Sequence, residues 1–235
     1  MLRKVLFGVL TVLLALGLVG CGGNKGGDAG KKEEKAPEVV VEGTADKAVL
    51  AYAQLYAYGD PDEDAVKAAG MTESDIESVQ EQVITPLIEA FKQYPLNNDS
   101  VAAMTTQYIG KLKMAMDIKA TVKTEDKEHP VVELKATTIN EEGVGKVVET
   151  NTDLVALGTA YGELQAQGLT EEQLKESPEF QQFALESIDK FINEFPLNPE
   201  STLEVTCEAV QGADGKMYWA PQNPEAVAKF VTGQK

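Results

Sequence analysis

The chain predicts an α+β fold: an N-terminal signal helix and a flexible tether, followed by helices packed on antiparallel strand pairs, the whole readable as two duplicated helix-plus-hairpin halves. Three observations predict it. Alanine-rich stretches with helix-start signals fill most of the chain after residue 44. Two places switch to an apolar period of two and are broken by turn residues, as half-buried hairpins require. Certain words also recur about 100 residues apart, Gly70-Met71-Thr72-Glu73 with Gly168-Leu169-Thr170-Glu171 and Tyr94-Pro95-Leu96-Asn97 with Phe195-Pro196-Leu197-Asn198.

Residues 1–20 have the parts of a secretory signal: Arg3 and Lys4, an uncharged apolar run from Val5 to Val19, and a small residue at Gly20. The run is 15 residues long, shorter than the roughly 20 that a spanning helix uses, so an uncleaved membrane anchor fits less well. Leu18, Val19, Gly20 and Cys21 resemble a lipobox, which implies cleavage before Cys21 and attachment of a diacylglyceryl group carrying palmitate-type chains. Two acyl chains hold a protein at a bilayer where one is marginal. Gly22 is not the aspartate associated with inner-membrane retention in two-membrane cells.

Residues 21–43 then read as the lipidated cysteine and its tether. Gly22 to Gly30 is glycine-rich, Lys31-Lys32-Glu33-Glu34-Lys35 has mixed charge, and neither supports a core. The 22 residues Gly22 to Gly43 would span roughly 26 Å as a flexible coil. Residues 44–140 and 141–235 form the two expected halves, together of a size for one compact domain.

Within the first half, Asp46 to Tyr58 is helical by composition. Asp60-Pro61-Asp62-Glu63 predicts a short helix with aspartate at the cap and proline at the first position. Thr72-Glu73-Ser74-Asp75 opens a longer helix toward Tyr94 with Pro86 inside it, and Ser100 to about Lys111 is another. From Met114 the alternation of Met114, Met116, Ile118, Ala120 and Val122 with polar neighbours predicts a strand. It pairs across Glu125 to Pro130 with a second strand carrying Val132, Leu134 and Ala136.

The second half repeats this order. Ser177-Pro178-Glu179 is a helix start that accounts for the change in offset between the recurring words. The second hairpin is Leu203 to Ala209 and Lys216 to Ala220 around Gly212-Ala213-Asp214-Gly215. Two explanations stay open: an old duplication, or a helix that stops at an aromatic-proline pair twice. The helix from Ser100 has no counterpart in the second half.

Composition narrows the chemistry. The formal charge of −17 becomes −19 when residues 1–20, which hold Arg3, Lys4 and no acid, are removed. A surface of that sign repels phosphate backbones and anionic headgroups, so no nucleic-acid partner is expected and the membrane is reached through the lipid. With Cys21 acylated, Cys207 has no cysteine to pair with. It alternates with Leu203 and Val205 and reads as a buried small hydrophobe rather than a reactive thiol.

His129 is the only histidine, which removes paired-histidine zinc sites. Gly143-Val144-Gly145-Lys146 lacks the first glycine and the Ser/Thr of a phosphate loop. Asp60, Asp62 and Asp64 match the first three ligand positions of a calcium loop, but Ala65 and Met71 stand where it needs glycine and glutamate. No metal, no cofactor and no catalytic residue is expected. The candidate binding surface is aromatic, with Tyr52 and Tyr56 on one helix face and Tyr218 facing solvent beside an inward Trp219.

Taken with the lipobox and tether, three runs carry a resemblance: Lys113 to Val122, Val132 to Ile139, and Asp214-Gly215-Lys216-Met217-Tyr218-Trp219. The chain resembles small bacterial lipoproteins of uncharacterised domain families, mostly of Gram-positive type. That resemblance implies helices on one face of a curved sheet, similar to cystatin-like or nuclear-transport-factor-like folds, and no active residues. The expectation is a lipid-anchored binding or scaffolding module on the extracytoplasmic side of the cell membrane. The alternatives are a transporter's solute-binding component or a carboxylate-dependent envelope hydrolase.

Overall fold

In the computed structural model the described residues are 40–234 apart from 93. The signal segment, the lipobox and Cys21 lie outside them. Among the described residues the chain forms nine helices and five strands in one mixed sheet of order β1-β5-β4-β3-β2.

The first helix, α1 (Ala45–Tyr58), is the centre of the packing. Its small side chains let other elements approach closely: Ala48, Val49, Ala51 and Ala53 have no exposed surface. Ala48 and Ala51 meet Ala65 and Ala69 of α2 (Glu63–Ala69), where only methyl groups separate the two backbones. Helix α1 stops at Gly59, whose φ of 72° and N–H bond to the Leu55 carbonyl make a left-handed cap. Helix α3 (Glu73–Phe91) opens with the expected capping box between Thr72 and Asp75 and contains Pro86.

The sheet is assembled from the two expected hairpins. Strand β2 (Lys119–Thr124) pairs antiparallel with β3 (Val131–Ala136), and β4 (Ser201–Gln211) pairs antiparallel with β5 (Met217–Pro221). Strands β3 and β4 then join the hairpins side by side, with Val132 opposite Val205 and Leu134 opposite Leu203. Val132, Leu134 and Ala136 are wholly buried on the face that α1 covers. On the other face Glu133 and Glu204 stand opposite each other, and Lys135 and Lys123 each bring an ammonium to one of them, relieving the like-charge pairing.

Four boundaries differ from the sequence expectation, each for a local reason. Helix α4 (Asn98–Met116) begins two residues before Ser100, because the Asn97 side chain accepts the Ser100 N–H at 2.8 Å. It also runs through Met114 and Met116, where a strand was expected. Met104, Tyr108, Leu112 and Met116 recur every four residues and all are buried, so helical packing overrides the short alternation; the strand starts only after Asp117, whose φ of 43° ends the helix. Proline 61 precedes the cap of α2 instead of opening the helix: Asp62 is the cap, and its carboxylate accepts from Gln54 Nε2 at 2.8 Å. Finally, Val41–Glu42, placed in the tether by sequence, forms β1, parallel to Met217–Tyr218.

Four helices separate the hairpins: α5 (Glu141–Thr150), α6 (Thr152–Ala166), α7 (Glu171–Glu176) and α8 (Pro178–Asn193). The Gly143 to Lys146 run lies inside α5. Ser177 caps α8, with Pro178 at its first position. The recurring words begin alike, with Gly70 and Gly168 both at positive φ and each followed by a capping box. The aromatic-proline words diverge: Asn97 caps α4, while Asn198 Nδ2 donates to Thr138 Oγ1 at 2.9 Å. Helix α9 (Pro224–Thr232) closes the chain against α1.

Candidate functional site

Three chain segments meet at the β1 edge of the sheet and enclose an open cleft of about 710 Å³. The β1–α1 junction contributes Glu42, Thr44 and Lys47. Helix α2 and the turn after it contribute Asp64, Lys67, Gly70 and Met71. The β4–β5 turn contributes Asp214, Lys216 and Tyr218.

The geometry of this corner depends on two glycines. Gly70 has φ of 61°, and a Cβ there would stand 2.3 Å from Tyr218 Cδ2; a Cβ on Gly212 would stand 2.8 Å from the same ring. Tyr218 is therefore laid flat between two backbone segments that only glycine allows so close. Its hydroxyl donates to Asp214 Oδ2 at 2.9 Å, and the Lys216 N–H donates to Asp214 Oδ1 at 3.1 Å. The N–H of Lys216, with the Tyr218 hydroxyl adding to it, holds the Asp214 carboxyl below its ordinary range. That bond to Asp214 in turn raises the Tyr218 phenol.

The cleft's charges are loosely paired. Lys67 Nζ lies 3.7 Å from Glu63 and 3.9 Å from Asp64, and Lys216 Nζ lies 3.7 Å from Glu42. Elsewhere ion pairs close to hydrogen-bond length, such as Lys113–Asp60 at 2.6 Å and Lys229–Glu225 at 2.7 Å. Lys47 is exposed and makes no ion pair among the described residues.

Of the aromatic residues singled out by sequence, Tyr218 lines this cleft and the other two do not. Tyr52 and Tyr56 do share a face of α1, their ring centroids 6.3 Å apart. Burial, with smaller contributions from Tyr56 and Asp75, pushes the Tyr52 phenol up to about 12. Tyr56 instead borders a separate niche with Val79 and Val83 of α3 and Ala228 and Thr232 of α9, about 30 Å³ in volume and too small for an organic ligand. Trp219 and Met217 are half-buried, as is Tyr218, and Trp219 packs against both apolar clusters.

The remaining residues are dispersed. Asp60 pairs with Lys113, Asp62 with Gln54, and Glu63 and Asp64 with Lys67, so the acids of the calcium-like word turn to different partners. Among the described residues no group of three or more His, Cys, Asp or Glu side chains is placed to hold a metal ion. His129 is exposed, with Nδ1 3.3 Å from Gln222 Nε2. Cys207 is wholly buried, and burial pushes its thiol up to about 12.

Sequence reasoning missed Lys47, Lys67, Asp64 and Asp214 as neighbours because they lie on elements up to 167 residues apart. The available signals were Gly70 before a capping box and the Gly212 to Gly215 turn; nothing in one sequence links them. Comparison of the chain with protein-family models, with curated proteins and with solved structures finds no match.

Proposed function

We propose that the protein is a lipid-anchored binding module held on the extracytoplasmic face of a membrane through Cys21, with the cleft around Tyr218 as its binding surface. The observation that carries the anchor is Leu18-Val19-Gly20-Cys21 at the end of a 15-residue apolar run behind Arg3 and Lys4. Among the described residues no helix is long and apolar enough to cross a bilayer.

A binding role is supported by the character of the cleft. It lines an open surface with carboxylates and ammoniums, groups that hold a charged or polar ligand through charge-assisted hydrogen bonds. The cleft is also open and bordered by the segment through which the chain arrives, where an anchored receptor would meet a solute.

The test is fractionation of cells expressing the wild-type chain and Cys21→Ser. The wild type should partition with membranes in a shortened, acylated form, and the variant should remain unprocessed and unacylated. Equal membrane retention of both, with the N-terminal segment uncleaved in each, would replace the lipid with a spanning helix.

A further inference from the structure

We infer that the cleft between α1, α2 and the β4–β5 turn takes a small zwitterion bearing one ammonium and one carboxylate, of the amino-acid or short-peptide class; this rests on reading the protein as a binding module. Three ammoniums, on Lys47, Lys67 and Lys216, and three carboxylates, on Glu42, Asp64 and Asp214, line it, so its lining is formally neutral inside a chain of −17. A simple anion would meet the repulsion of the whole protein, and a simple cation would compete with three lysines. A ligand with no net charge and both signs meets neither obstacle.

The looseness of the existing pairs favours exchange. Separations of 3.7 to 3.9 Å between exposed, water-screened groups contribute little to stability, so a ligand's own charges can replace them at little cost. Asp214 is already oriented by the Tyr218 hydroxyl and the Lys216 N–H, which leaves its carboxylate preorganised to receive an ammonium. Lys47, without an ion-pair partner among the described residues, and Lys67 then offer charge to the ligand's carboxylate. Met71, Ala68 and the Tyr218 ring supply the apolar border for a side chain.

The experiment is calorimetric titration of the full chain in detergent with L-leucine and with dialanine, against acetate, methylamine and inorganic phosphate as single-sign probes. Saturable binding of a zwitterion with Kd below about 1 mM, at least about tenfold tighter than any single-sign probe, is the expected result. Lys47→Ala and Asp214→Asn should each weaken it about tenfold, while Lys190→Ala, in an ion pair outside the cleft, should leave it unchanged. Phosphate or acetate binding as tightly as the zwitterions would overturn the ligand class in favour of anions. Binding indifferent to Lys47→Ala and Asp214→Asn would overturn the location, and no binding by either zwitterion would overturn the inference itself. Failure of the anchor is read separately, by fractionation of Cys21→Ser, and leaves these titrations unaffected.

Discussion

A buried phenol and a glycine show how a single atom sets the sign of a substitution. Tyr108 is 3 % exposed and stacks edge-on against Phe91 and Phe195, yet its hydroxyl has no hydrogen-bond partner among the described residues. The ring contributes packing, while the buried, unpaired hydroxyl costs on the order of 1–3 kcal/mol. Tyr108→Phe keeps the ring contacts and removes the cost, so urea denaturation should show unchanged or higher stability, by up to about 1 kcal/mol. A clear loss would mean that the hydroxyl has a bridging water. Gly70 is the opposite case. Alanine there must adopt a φ of 61° and place a methyl 2.3 Å from the Tyr218 ring, so Gly70→Ala should lose about 2 kcal/mol or more in the same measurement and displace Tyr218 from the cleft.

At the scale of elements, one residue ends one helix and starts the next. Asn151 is the C-cap of α5 and the N-cap of α6: its N–H reaches the Val147 carbonyl, its Oδ1 accepts the Leu154 N–H at 2.9 Å, and its Nδ2 donates to Glu194 at 2.7 Å. Only 5 % of it is exposed, so Asn151→Ala strands buried groups and should cost about 2 kcal/mol. Asn151→Asp, which keeps the capping oxygen but faces Glu194 with a carboxylate, should fall between, and denaturation midpoints of the pair separate the two contributions.

Such caps also decide what could be read from sequence. Thr72 and Ser177 announce their helices because each has a second signal beside it, an acid three residues on or a proline next to it. Asn97, Asn140 and Asn151 do the same work without a second signal, and the start of α4 was misplaced accordingly. The strand predicted from Met114 begins only at Lys119, because the four-residue spacing of Met104, Tyr108, Leu112 and Met116 decides the burial up to Met116. Both hairpins were legible, since in each strand the alternation is unopposed by a longer pattern. The cleft was not legible beyond Tyr218, because its charges come together only when β1 adds to β5 and α2 packs on α1.

For the whole molecule, the buried groups of the core carry a common titration signature. Cys207 and Tyr52 are pushed up to about 12 by burial, and Tyr58, Tyr94 and Tyr108 are raised further by the same cause. Each group is held neutral in the folded state, so its contribution to stability is fully present below its unfolded pKa and is lost as pH rises toward the folded one. The unfolded thiol begins to ionise near 9.0 and the phenols near 10.0, which sets the window. The unfolding temperature should fall steadily above about pH 9, with the thiol acting first. Cys207→Ala should lower stability at neutral pH by about 1 kcal/mol through the lost sulfur, yet show a shallower decline between pH 9 and 10 than the wild type. Parallel curves in that interval would mean that Cys207 ionises as readily folded as unfolded, and native thiol labelling at the denatured rate would show the same failure by an independent route.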